Sequence, residues 1–309
     1  MSIVLLVIGL VFLIVGGDLL LKAAVSISLK LNIPKIVIGM TVVSFATSAP
    51  ELIVSVQSAL RGAPDLALGN VVGSNIANLG LVLGITVILS PILVTKNFYR
   101  FDWPIMMTAS LLFFGFIFDG VLVFWEGAMM LLLLLFTILY LIKFQEKAVE
   151  EEPHEVGAPY SVFKTMVYLV IGSVGLAFGS QWLIDGAVSL SLQLGVSERV
   201  IGVTMVSAGT SIPELVASVM AVLRKEKAIS IGNLVGSNLF NILAVLGISS
   251  MVIPIEVMDR TLLNFDIYVM LFISFLILPL VFIPNGLRLG WRDGILLLAI
   301  YIGYIYMTV

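Results

Sequence analysis

The sequence predicts an all-α membrane protein of ten transmembrane helices in two inverted-topology five-helix repeats, on three observations. The 309 residues are 60% hydrophobic and only 11% charged, against about a quarter charged in soluble domains. Apolar runs recur from end to end, each long enough to cross a hydrocarbon core about 30 Å thick. A block of sequence returns, without gaps, 163 positions further along the chain.

Breaking the hydropathy at charged and Pro/Gly clusters places the spans near 3–31, 34–60, 66–89, 101–118 and 122–144, then 163–194, 199–223, 229–251, 262–282 and 291–307. The apolar run 2–21 lacks a basic leader and an A-x-A-type cleavage site, so it reads as a retained first span. The only sizeable polar break is 145–159. This divides the chain into a first repeat, 1–144, a linker, 145–159, and a second repeat, 160–309.

The repeat is explicit. Ile38-Gly39-x-Thr41-x-Val43-Ser44-x-x-Thr47-Ser48-x-Pro50-Glu51-Leu52 returns as Ile201-Gly202-x-Thr204-x-Val206-Ser207-x-x-Thr210-Ser211-x-Pro213-Glu214-Leu215. The following helix repeats too: Gly69-Asn70-x-Val72-Gly73-Ser74-Asn75-x-x-Asn78 is answered by Gly232-Asn233-x-Val235-Gly236-Ser237-Asn238-x-x-Asn241. Five spans per copy is an odd number, so the second copy enters the membrane from the opposite side. Many transporters are built this way, with the ion site at the repeat interface near the midplane.

Orientation follows from the basic residues, which favour short cytoplasmic loops. One set of connections holds Lys30, Lys35, Lys96, Arg100, Lys143, Lys147, Lys164, Arg224, Lys225, Lys227, Arg288 and Arg292, whereas the other holds Arg61, Arg199 and Arg260. Both termini are therefore expected outside and the 145–159 loop in the cytoplasm, in what we read as the cell membrane.

Composition narrows the chemistry. The net charge of −3 is small and scattered, which argues against nucleic acid as a partner. There is no cysteine, and the single histidine, His154, lies in the charged loop, so softer metals lack their usual ligands. Oxygen ligands suited to sodium, calcium or magnesium are plentiful. Besides such ions, the expected partner is the lipid bilayer, with no cofactor and no obligate protein partner.

Two acids carry the functional reading. Glu51 and Glu214 fall deep within apolar spans, where insertion costs about 2.5–3.5 kcal/mol for a central acidic side chain. The only basic residues in their spans, Lys35 and Arg199, stand at the first turn, far along the helix from either acid. The preceding Pro50 and Pro213 are expected to break their helices and free the carbonyls of Ala46 and Gly209. Thr47, Ser48, Thr210 and Ser211 flank the breaks, and Ser74 with Asn78, and Ser237 with Asn241, stand one helical turn apart on the next helix. Together they make an oxygen-only cage in which two carboxylates balance one calcium, and sodium accepts the same neutral oxygens. Polar contacts between helices are a simpler account of the Ser and Asn residues taken alone. The Gly69-x-x-x-Gly73 and Gly232-x-x-x-Gly236 spacings read as close helix packing. Asp18, Asp102, Asp119, Glu126, Asp259, Asp266 and Asp293 read as interfacial groups near span ends, and Glu150-Glu151-Glu152 with Glu155 as a solvated linker.

The motifs Ala46-Thr47-Ser48-Ala49-Pro50-Glu51 and Gly209-Thr210-Ser211-Ile212-Pro213-Glu214, each followed by Gly-Asn-x-Val-Gly-Ser-Asn, resemble the two signature repeats of the sodium/calcium exchanger family. The resemblance spans essentially the whole chain and points to the compact prokaryotic type. It implies a calcium/sodium antiporter, not an enzyme, in which Glu51 and Glu214 bind calcium, assisted by Thr47, Ser48, Ser74, Thr210, Ser211 and Ser237. It further implies that carbonyls near Ser44 and Ser207 serve sodium, and that the long first and sixth helices slide against the rest. Asparagine at 78 and 241, where some members carry aspartate, argues against potassium coupling. The absence of a glutamate soon after Gly69-Asn70 favours sodium over a proton-coupled alternative. A cation channel and an intramembrane hydrolase are more distant readings.

Overall fold

The computed structural model describes residues 2–144, 158–194, 209–283 and 286–308. Its helices, in chain order, are α1 (Ser2–Leu31), α2 (Lys35–Leu60), α3 (Pro64–Leu89), α4 (Trp103–Ile117), α5 (Phe124–Phe144), α6 (Val162–Gln193), α7 (Ile212–Leu223), α8 (Lys227–Val252), α9 (Leu262–Phe282) and α10 (Trp291–Thr308). Their ends fall within about three residues of the predicted spans, because Pro, Gly and charge clusters mark real chain breaks. The first part of the predicted 199–223 span lies outside the described residues, as does most of the 145–159 linker. Among the described residues, α1, α2, α3, α5, α6, α8 and α9 are long and apolar enough to cross a membrane.

Burial separates the helices into two classes. About 78% and 83% of the most apolar stretches of α3 and α8 are buried, against 28% in α1 and α6. The former are therefore the axis of the molecule and the latter its flank. Large apolar side chains such as Trp125, Phe136, Phe163 and Tyr306 stand more than half exposed on the periphery, as expected where the solvent is hydrocarbon.

α1 and α6 pack against each other backbone to backbone. A Cβ on Gly16 would sit 2.8 Å from the Leu176 nitrogen and 2.9 Å from the Gly172 carbonyl, and one on Gly172 2.6 Å from the Leu20 nitrogen. Only small residues allow such an approach, which supplies the packing that the hydrophobic effect cannot give between helices in lipid.

The connections gather at two ends. At one, strand β1 (Ile92–Leu93) pairs antiparallel with β4 (Arg288–Leu289), Lys35 bridges Glu226 at 3.1 Å, and Lys227 donates to the Pro91 carbonyl at 2.8 Å. At the other, β2 (Val121–Leu122) pairs with β3 (Ile255–Glu256), and Asp65 accepts the amides of Met258 and Asp259 at 2.8 and 3.0 Å. Each end joins loops from both halves of the chain.

Two expectations are corrected. Asp102 is not solvated at an interface: it is fully buried as the last residue of a π-helical turn, Phe98–Asp102, that leads into α4. The packing reading of the glycine pairs holds for Gly232 and Gly236, whose Cβ atoms would strike Ile36, Met40 and Ser44. Gly69, by contrast, has nothing within 4 Å.

Candidate ion-binding site

Glu51 and Glu214 come from equivalent positions on α2 and α7, and neither exposes any surface. The bond from Ser48 Oγ to Glu214 Oε1, at 3.2 Å, ties the Glu51 helix to the Glu214 carboxylate. Ser237 Oγ reaches the same oxygen at 3.5 Å.

The two motifs are alike in sequence but not in backbone. Pro50 was expected to break its helix, yet Ser44–Leu60 runs through it without interruption. The distortion lies upstream, in a π-helical turn at Gly39–Val43. Pro213 instead stands in the first turn of α7, which begins at Ile212 after turn residues Thr210 and Ser211. There its missing N–H costs nothing, because first-turn amides have no helical partner. Pro50 thus lies inside a helix and Pro213 at the start of one, and residues 195–208 before it lie outside those described.

The neighbouring helices complete the pocket. Thr47 Oγ1 donates to Asn233 Oδ1 at 3.3 Å and lies 3.4 Å from Ser237 Oγ; Ser74 Oγ lies 3.2 Å from Thr210 Oγ1. Asn78 donates to Asn238, and Asn241 to Asn75, both at 3.2 Å. These contacts cross between α2 or α3 and the second half of the chain, so the predicted Thr, Ser and Asn residues do converge on one region. Ser44 is engaged differently: its hydroxyl is shared between the carbonyls of Gly39 at 2.8 Å and Asn233 at 2.9 Å, clamping α2 to α8. Ser207 lies outside the described residues.

What remains unpaired defines the chemistry. The buried oxygens without a hydrogen-bond partner among the described residues include both oxygens of Glu51, Glu214 Oε2, Asn78 Oδ1, Asn241 Oδ1 and Ser211 Oγ. Buried polar atoms are paired in the great majority of cases, so this concentration of unmatched oxygens calls for cations. No group of three or more Asp, Glu, His or Cys residues occurs among the described residues. The pocket thus offers two formal negative charges and neutral oxygens, a donor set for hard ions.

Sequence reasoning passed over four asparagines. Asn70 and Asn233 hold the glutamate helices in place: each donates to a serine on the same helix as the acid, Ser55 at 2.9 Å and Ser218 at 3.0 Å, and towards the Glu51 or Glu214 carbonyl at 3.4 and 3.5 Å. Asn75 and Asn238 partner the candidate ligands. All four stand in the duplicated Gly-Asn-x-Val-Gly-Ser-Asn motif, and that duplication was the signal available. π-helical turns start at Asn78 (Asn78–Val82) and one residue before Asn241 (Phe240–Leu246), a distortion common where helices serve a site.

Comparison with known proteins is consistent over the full length. Residues 1–143 and 164–309 match the family described as sodium/calcium exchanger protein. CaxA of Alkalimonas amylolytica is 36% identical over 307 residues, covering 97% of this chain and 96% of that protein. Sodium/calcium exchanger MaX1 of Methanosarcina acetivorans is 30% identical, covering 97% and 96%. The solved sodium/calcium exchanger from Methanococcus jannaschii superimposes with a TM-score of 0.84 at 30% identity, covering 99% of this chain and 97% of its own. With the fold, the duplicated acids and this full-length correspondence in agreement, the chain belongs to the sodium/calcium exchanger protein family.

Proposed function

We propose that the protein is an integral membrane antiporter that exchanges calcium for sodium through one shared pocket, with Glu51 and Glu214 as the charged ligands. The observation that carries this reading is the pair of fully buried carboxylates from equivalent positions, surrounded by unpartnered oxygens. One calcium neutralises both acids. Sodium ions draw on the same acids and on the neutral oxygens of Thr47, Ser48, Ser74, Thr210, Ser211, Ser237, Asn78 and Asn241, with carbonyls near Ser44 and Ser207 contributing. Occupancy by one species excludes the other, and that exclusion is the physical minimum for exchange.

In this reading residues 1–144 and 160–309 are two five-span repeats joined by the 145–159 linker, ten spans in all. Both termini lie outside and the linker is cytoplasmic, in the cell membrane. The glycine-lined α1–α6 pair moves as one body across the rest, exposing the pocket to each side in turn. Calcium uptake into proteoliposomes tests the coupling. With pH clamped on both sides, uptake is expected to follow an imposed sodium gradient and to stop when the gradient is removed. Uptake that ignores sodium and follows a proton gradient, or that proceeds with no counter-ion, contradicts the reading.

A further inference from the structure

Four asparagines and two methionines form a pair of relays, each crossing between the two halves of the chain. Asn241 Nδ2 donates to Asn75 Oδ1 at 3.2 Å, and Asn75 Nδ2 points to Met270 Sδ at 3.7 Å. Asn78 Nδ2 donates to Asn238 Oδ1 at 3.2 Å, and Asn238 Nδ2 points to Met106 Sδ at 3.8 Å. All six side chains are at most 1% exposed, and in each relay the free end is an unpartnered Oδ1, of Asn241 or Asn78. The methionines stand on α4 and α9, which contribute no ligand. They are 164 positions apart rather than 163, as are Asp102 and Asp266, and Ser110 and Ser274.

An amide has a donor end and an acceptor end of nearly the same shape, and nothing in its bulk decides which end faces where. A thioether can only accept. With sulfur on one side of Asn75, the NH2 group must turn towards Met270 and the carbonyl oxygen towards Asn241. That oxygen takes the NH2 group of Asn241, leaving the Asn241 oxygen for the pocket. The same logic runs from Met106 through Asn238 to Asn78. Without the sulfur, either amide can rotate and present NH2 groups to a cation. Asn241 is one helical turn from Ser237, whose hydroxyl touches Glu214, so its polarity bears directly on the site.

We propose that Met106 and Met270 are positioning residues: each fixes, through one intervening asparagine, the orientation of a ligand amide so that oxygen faces the ion. This rests on the pocket being the calcium site. The test is equilibrium calcium binding to the purified full-length protein in sodium-free detergent solution, for Met270→Leu, Asn241→Asp and the double variant, with Met106→Leu in parallel. Leucine keeps the volume and removes the acceptor. Aspartate has oxygen at both positions, so its orientation needs no fixing.

Met270→Leu is expected to weaken calcium binding about tenfold in the Asn241 background, and by less than about twofold when Asn241 is already Asp. Met106→Leu should likewise weaken it. Equal losses in both backgrounds, or no loss with Asn241 present, overturn the relay, because packing alone would not distinguish Asn from Asp. Glu51→Gln separates the two levels of the argument. Calcium binding that survives it overturns the pocket assignment and the relay together, whereas binding that is lost with it but indifferent to both methionines overturns the relay alone.

Discussion

Glu51 and Glu214 are both wholly buried, and both oxygens of Glu51 and one of Glu214 have no hydrogen-bond partner. Removing one charge from such a pair leaves a divalent ion half neutralised, so Glu51→Gln and Glu214→Gln should each weaken calcium binding by about 30-fold or more. Each should also abolish exchange while leaving the elution profile of the purified protein unchanged. Asn233 is a different case, because its amide serves Ser218, the Glu214 carbonyl and Thr47 at once. Asn233→Ala should cost stability, about 1–3 kcal/mol, seen as a lower thermal midpoint with and without calcium. The two glutamates were legible in the sequence because a charge inside an apolar run has few explanations. Ser44 was legible only in part: its place in the motif was visible, but not the clamp its hydroxyl makes on Gly39 and Asn233, which depends on a partner 189 positions away.

At the scale of the helix, identical words acquire different meanings. The Thr-Ser-x-Pro-Glu motif occurs twice, yet Pro50 is inside a continuous helix and Pro213 at the start of one. Local sequence cannot separate these cases, since the two copies meet different neighbours. The structure therefore predicts unequal effects from equal substitutions. Pro50→Ala restores an N–H that can engage the Ala46 carbonyl, which should lower ion affinity in a protein that still folds; Pro213→Ala should leave affinity nearly unchanged. Calcium titration of the two variants distinguishes them. A second helix-level prediction concerns the turn after α7. Gly62 has φ +75° after α2, and the equivalent Lys225 has φ +64° after α7. Since a side chain in that left-handed conformation costs about 1–2 kcal/mol, Lys225→Gly should raise the thermal midpoint.

The whole molecule repeats one design twice and joins the copies through their loops. The duplication was readable at its constant offset of 163 positions, and the proposed inversion of the two copies rests on it. The relays through Met106 and Met270 were not readable, since they depend on which helices meet and since the offset shifts from 163 to 164 before α4. The absence of native cysteine allows topology to be checked one residue at a time. Lys96→Cys and Arg288→Cys, beside the β1–β4 pair, should react with impermeant maleimide only from the cytoplasmic side. Arg61→Cys and Asp119→Cys should react only from outside.

The claim on which all of this depends is that calcium and sodium take turns in one pocket lined by Glu51 and Glu214. Calcium binding to the purified protein, measured by isothermal titration across a series of sodium concentrations at fixed ionic strength and pH, addresses it most directly. The account predicts that sodium raises the apparent calcium dissociation constant without limit and leaves no sodium-insensitive fraction. Calcium affinity that levels off at high sodium, with both ions bound together, would contradict it.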